Sequence, residues 1–272
     1  MSNEFDTIYQ AIRALDLNAV ESFLATREDF PVDGFWTPLH EASKLGDCKM
    51  VQAILSYIET SKYCSFNINT EFEIDSNDDD MRGTALSEAL LNNSDEVVKL
   101  LIENGADVNS TFYSQNRDSC EWAFGDYSAA TDQGVCWWLA GNDILGLMVS
   151  HDLDVEAEDY NGKTALEYAI EDTNLKRAET LLKLGANPNQ EIMLSSELGT
   201  VSLLIYTVAE SIPDITRLLL KYGALIGKLY SYDESEEMNI TGKCSVLDFA
   251  LHAEDEEFDK IFGLQNIRKK LK

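Results

Sequence analysis

From Thr37 the chain reads "TPLHEASKLGDCKMVQAILSYIE". A capped apolar segment is followed by a short polar break and then by a second apolar run. Thr37 can accept a backbone N–H as N-cap and Pro38 suits the first helical position, so a helix begins here with Leu39 and Ala42 opening its apolar face. The arrangement returns from Thr84 ("TALSEALLNNSDEVVKLLIENGADVN") and from Thr164 ("TALEYAIEDTNLKRAETLLKLGANPN"). Each copy has Leu at the third position, Ala at the sixth and paired apolar residues in the second helix, such as Val97–Val98 and Leu100–Leu101. This spacing predicts two amphipathic helices joined by a turn. Gly105 and Gly185 fall where a helix needs a left-handed C′ residue, and they are 80 apart, as are Thr84 and Thr164.

Weaker copies occupy the rest. "DTIYQAIRALDLNAVESFLA" from Asp6 keeps two helices without the Thr-Pro start, and "SLLIYTVAESIPDITRLLLKYGALI" from Ser202 keeps both helices and Gly223. "SVLDFALHAEDEEFDKIF" from Ser245 ends the chain with a more charged second helix. "DILGLMVSHDLDVEAED" from Asp143 matches the second helix after Asp95, with His151–Asp152 in place of Asn-Gly, and its first helix lies somewhere in "DQGVCWWLAGN". Seven repeats result. The clear ones lie near 37–69, 84–109 and 164–189, the degenerate ones near 6–30, 132–156, 202–226 and 245–272.

Thr-Pro-Leu-His-x-Ala, a second helix and Gly-Ala-Asp-x-Asn, at a period of about 33, resemble the ankyrin repeat over nearly the whole chain. The resemblance implies an all-α solenoid of about seven stacked helix pairs in a single domain, 1–272. One pair cannot bury its own apolar face, so neighbours share a continuous core, and Ala42, Ala89 and Ala169 are small where helices approach closely. First-helix anchors at 37, 84, 132, 164, 202 and 245 are 47, 48, 32, 38 and 43 apart. The longer spacings predict inserted loops of roughly 5 to 15 residues.

Charge changes the picture more than composition does. Forty-nine acidic against twenty-one basic residues give −28, a field that repels nucleic acid and anionic membrane and attracts cationic partners. No run reaches the roughly 18 apolar residues of a membrane span. No basic residue precedes Arg13, so no secretory signal is expected. The five cysteines are odd in number and never spaced CxxC, which points to reduced thiols in the cytoplasm rather than disulfides or zinc. The acids recur in runs: "EFEIDSNDDD", "DLDVEAED", "DESEE" and "EDEEFD". Stacking the repeats would bring these runs to one side as a negative stripe able to hold a basic partner.

Candidate chemistry is sparse, and no cofactor is expected. In the ankyrin pattern His40 is structural, bonding the helix start and the adjoining loop. His151 falls at a helix end and His252 in the last repeat, with no nucleophile placed beside them. Asp75–Asp80 read as a calcium loop fails, because Asp80 replaces the required Gly and position 12 is Leu86. Neither a catalytic nor a metal site is expected. Phe112, Tyr113, Trp122, Phe124, Tyr127, Trp137 and Trp138 fall within 27 residues beside the longest insertion, as a satellite core or as binding anchors.

By the resemblance, partner contacts come from loop tips and the exposed part of the first helices. The positions are Trp36, Lys44, Leu45, Asp80, Met81, Leu91, Asn92, Tyr160, Asn161, Lys163, Glu171, Asp172 and Glu210. Asp78 and Asp79 join them from the acidic run, and Trp122, Trp137 and Trp138 from the aromatic cluster. The expected function is non-catalytic protein binding by a protein that is monomeric when free. Its expected form is an acidic inhibitor, of immunity or anti-defence type, that occludes a basic, nucleic-acid-handling enzyme. The alternative is a bacterial effector or scaffold that recruits a host protein in the host cytoplasm. Its motive is a loose likeness of "EDEEFDKIFGLQNIRKKLK" to acidic secretion signals.

Overall fold

A computed structural model describes residues 5–26, 36–62, 64–76, 79–114, 134–135, 140–159, 162–195, 199–232, 242–253, 255–265 and 267. They cluster into two compact units, 1–162 and 163–272. In the first unit the helices are α1 (Phe5–Arg13), α2 (Leu17–Thr26), α3 (Pro38–Leu45), α4 (Cys48–Thr60), α5 (Ala85–Leu91), α6 (Asp95–Glu103) and α7 (Asn142–Ser150). Each first helix packs on its second: α1 on α2, α3 on α4 and α5 on α6. First helices then stack in one row (α1, α3, α5) and second helices in another (α2, α4, α6, α7). The second unit repeats the plan with the pairs α8 (Ala165–Glu171) and α9 (Leu175–Lys183), α10 (Leu203–Ala209) and α11 (Pro213–Lys221), and α12 (Val246–His252) and α13 (Glu256–Phe262).

The caps form as the sequence directs. The hydroxyls of Thr37, Thr84, Thr164 and Ser202 each accept the backbone N–H three residues on. Ala42, Ala89 and Ala169 are buried at the helix contacts, beside Leu39, Leu86 and Leu166. Gly105, Gly185 and Gly223 take φ values of 88°, 106° and 92° after their second helices. Where His151–Asp152 replaces Asn-Gly, Asp152 itself adopts φ 67°, a conformation that Asp tolerates better than most side chains. The break between paired helices is also left-handed, at Leu15, Gly46, Asn93, Thr173 and Ser211.

The insertions depart from the all-helical expectation. β1 (Phe72–Ser76) and β2 (Asp79–Gly83) form an antiparallel hairpin, extended by β3 (Thr111–Ser114) and β4 (Gly134–Val135) into a sheet of order β1-β2-β3-β4. In the second unit β5 (Glu191–Ser195) pairs with β6 (Gly199–Ser202), and β7 (Tyr230–Tyr232) with β8 (Gly242–Cys244). A loop that leaves one helix pair and must return to the next has two adjacent ends, and antiparallel pairing satisfies its backbone groups on the way. The fourth repeat's first helix, sought in 132–142, falls partly outside the described residues, and Gly134–Val135 within that span is strand.

Asparagines tie successive loops together. Asn69 Oδ1 accepts Asp107 N at 2.9 Å, Asn109 Oδ1 accepts Asp154 N at 2.9 Å, and Asn189 Oδ1 accepts Leu225 N at 2.8 Å. The amide nitrogen of each donates back to the same loop, at the carbonyls of Gly105, Asp152 and Gly223 respectively. These are the last residues of the Gly-Ala-Asp-x-Asn motif and its degenerate forms.

Candidate functional site

The first-helix row of the first unit carries a linked polar arrangement. It begins with Arg13 at the end of α1. The Arg13 Nε donates to Glu41 Oε1 at 2.6 Å, and Trp36 Nε1 donates to Glu41 Oε2 at 2.9 Å. Both carboxylate oxygens of Glu41, only 7% exposed, are therefore satisfied, as a buried charge requires. The Trp36 carbonyl accepts from Tyr9 Oη at 2.6 Å. Burial and the Glu41 carboxylate push the Tyr9 phenol well above its ordinary range.

Trp36 is a packing residue as much as a surface one. Its ring meets Phe72 edge-on at 4.9 Å and tilts against His40 at 5.4 Å, while the Lys44 ammonium lies 5.5 Å above it. His40 is fully occupied. Its Nδ1 accepts from Thr37 N at 2.9 Å, which leaves the proton on Nε2 to be donated to the Thr70 carbonyl at 2.9 Å. Burial lowers its pKa from 6.5 to about 4, against the opposing pull of the Thr70 bond. A second proton on Nδ1 would face the Thr37 N–H that it now accepts. The imidazole is a neutral strut, as the sequence motif implied.

Glu88 is the exception on this face. It sits on α5 at the position that Glu41 holds on α3, and it is 3% exposed. Among the described residues no hydrogen bond reaches its carboxyl. Burial, partly offset by Lys44 and reinforced by Glu41, raises its pKa from 4.5 to about 7. Next to it on the row, Leu91 is half-buried, and Asn92 is exposed with its amide bonded to the Glu88 carbonyl at 2.9 Å.

The second unit presents a different set. Lys163 Nζ donates to both oxygens of Glu171 at 2.8 Å and lies 5.3 Å over the Tyr168 ring. Asp172 and Glu210 are exposed at the C-termini of α8 and α10. On its second helices, Glu179 bonds Lys183 and Lys221, while Glu257 pairs with Arg217 and Lys260.

The remaining expected contacts divide by position. Lys44 and Leu45 are exposed on α3, Leu45 to 44%. Asp79, Asp80 and Met81 lie in β2, with Asp80 opposite Asp75 and Met81 opposite Ile74 in the register, so the acidic run is a hairpin rather than an open loop. Asp78, Trp122, Trp137, Trp138, Tyr160 and Asn161 lie outside the described residues, as do "DESEE" and most of the aromatic cluster. Within that cluster Phe112 is buried. Acids in two other runs do local work: Asp154 Oδ1 accepts Glu156 N at 3.0 Å, and Asp255 Oδ1 accepts Glu257 N at 2.7 Å to cap α13. Sequence reasoning missed Arg13, Glu41 and Glu88, because a Glu at a helix surface position gives no sign of burial.

A groove of about 910 Å³ also runs along the second-helix row between α2, α4 and α6, lined by Leu24, Cys48, Tyr57, Lys99 and Leu100 among others. Among the described residues no three His, Cys, Asp or Glu side chains are grouped to hold a metal ion, and no helix is long and apolar enough to cross a membrane.

Residues 8–112 match the family model of ankyrin repeats in three copies. That span covers α1 to the start of β3. The third clear repeat, from Thr164, lies outside it yet has the same cap, helix pair and glycine geometry. No curated protein is significantly similar to the chain. Among solved structures it is similar to the ankyrin repeat domain of Bcl-3, described as a unique member of the IkappaB protein family. The TM-score is 0.61 over 94% of this chain and 97% of that one, with 17% identity. A likeness at that identity speaks for the fold, which is the ankyrin-repeat fold.

Proposed function

From the ankyrin-repeat fold as premise, we propose that this chain is a non-catalytic protein-binding module whose partner presents a basic surface. The observation that carries the reading is the −28 charge on a repeat scaffold whose first-helix row sets a carboxylate against an aromatic ring, Glu41 hydrogen-bonded to Trp36. Charge of one sign over an extended surface steers a cationic partner and sets its association rate, while a few anchors set its lifetime. The contacts come from Lys44, Leu45, Leu91 and Asn92 on the first unit, from the acidic β1–β2 hairpin, and from Asp172 and Glu210 on the second unit. His40, with both ring nitrogens engaged, serves the fold. In its specific form the protein is an acidic inhibitor that covers the nucleic-acid-handling surface of a basic enzyme in the cytoplasm.

The deciding experiment immobilises the chain, identifies bound proteins by mass spectrometry and measures their association across salt concentrations. Basic partners whose association slows steeply with salt, and whose nucleic-acid processing is blocked by the chain, support the reading. Acidic or neutral partners held equally well at all salt concentrations overturn it.

A further inference from the structure

Two glutamates hold equivalent places on adjacent first helices, and among the described residues only Glu41 has its carboxylate hydrogen-bonded. Glu41 receives Arg13 and Trp36. Glu88 is more deeply buried, at 3% against 7%, and among the described residues no hydrogen bond reaches its carboxyl. An ionised carboxylate so placed is costly unless a donor arrives.

The surroundings narrow what could arrive. α5 packs against α3, α6 and β2. From α3, Lys44 attracts a proton-free Glu88 and Glu41 repels it. Arg82 of β2 is spent on Glu73 at 2.6 Å, and α6 carries Asp95, Glu96, Lys99 and Glu103, three acids against one base. α5 itself carries no other charge. Among the described residues Lys44 is the cation that acts on Glu88, and it lies over the Trp36 ring. Among the described residues the Glu88 carboxyl is therefore short of a close positive charge and of a hydrogen-bond donor. A guanidinium or ammonium group brings both, with charge-assisted bonds that strengthen as water leaves.

Resting on the docking role of this face, we propose that Glu88 is the receptor for a basic side chain of the protein partner, and that this contact, unlike the diffuse surface charge, selects for an arginine or lysine at one position. In the free protein burial holds the carboxyl half-protonated near neutrality, at about 7. An entering cation favours the ionised form, so binding at neutral pH releases a proton.

The test uses the full chain with Glu Cδ labelled by carbon-13 and Glu88 assigned through its own backbone correlations. Its carboxyl is titrated alone, with a capped tetra-arginine peptide, and with the neutral tetra-citrulline analogue. The proposal expects a midpoint near 7 in the free protein, a fall of at least one pH unit with tetra-arginine, and no change with tetra-citrulline. A free midpoint in the ordinary carboxylate range overturns it, as does a midpoint unmoved by a tetra-arginine peptide that is bound. The indole N–H signal of Trp36 separates the two layers of the argument. If tetra-arginine shifts Trp36 but leaves Glu88 untouched, the face docks cations and the receptor assignment is wrong. If the bound peptide shifts neither, the docking role of this face falls as well.

Discussion

The side chain of Asn109 spans to the loop 45 residues further on, where its Oδ1 accepts the N–H of Asp154 at 2.9 Å and its Nδ2 donates to the Asp152 carbonyl at 3.0 Å. Asn109→Ala removes both bonds while leaving the apolar core intact. At roughly 0.5–1.5 kcal/mol for each net hydrogen bond, the loss should be about 1–2 kcal/mol, since the rung is solvent-exposed. Urea denaturation would show a lower midpoint with an unchanged slope. An unchanged midpoint would mean that water replaces the rung without loss.

His40 links stability to acid. Its folded pKa, about 4, lies below the ordinary 6.5, so the unfolded chain takes up the proton first as pH falls. The contribution is whole above about pH 6.5 and is lost progressively toward pH 4, by up to about 3 kcal/mol. His40→Ala should therefore cost most at pH 7.5, about 2–3 kcal/mol from lost hydrogen bonds and packing, and the gap to the native chain should narrow at pH 4.5. Denaturation at the two pH values measures it, and an equal gap at both would contradict the neutral-strut role.

Glu88 has the opposite sign. Its folded pKa lies above the unfolded value, so its contribution is present below about pH 4.5 and disappears as pH rises through about 7. Glu88→Gln should be about 1 kcal/mol less stable than the native chain at pH 4.5, through the amide's own unmet bonds, and about 1–2 kcal/mol more stable at pH 8. A variant less stable than the native chain at pH 8 would reveal a donor to the ionised carboxylate.

Thr173 occupies the helix-to-helix turn with φ 52°, a region where a β-branched residue is strained and where the second repeat uses Gly46. Thr173→Gly should raise stability by about 1 kcal/mol, the relieved strain exceeding the extra freedom of the unfolded chain. Thermal melting would register this as an upward shift of a few degrees.

Replacing Asp78, Asp79 and Asp80 together by Asn tests the hairpin of the acidic run. With a partner in hand, association should slow and depend less on salt, while dissociation changes little. Stopped-flow association over a salt series decides it. If the rates stay as before, these acids serve solubility alone.

Much of the fold was legible because its determinants are local. A threonine three residues before the backbone N–H it caps, an alanine at a helix crossing and a glycine after a second helix all act within one turn of the chain. The hairpins were not legible. "FEIDSNDDDMRG" has too many charges for an alternating strand pattern, and its pairing depends on the helix pairs that bring its ends together. The candidate face was legible as a set of positions but not as a circuit. Arg13 and Glu41 are 28 residues apart, and nothing in either segment announces the other. The burial of Glu88 likewise arises only when α3 and α5 are laid side by side.

The asparagine rungs have a consequence for how such a chain can grow. Each asks only that one amide reach the next loop, and the sequence distance it bridges is 38 residues from Asn69, 45 from Asn109 and 36 from Asn189. The same pair of bonds forms in all three, so the count of residues between rungs is not fixed by the joint. Hairpins can therefore be lengthened or trimmed by splicing at their tips, and the alignment of neighbouring loops is restored each time by a single side chain.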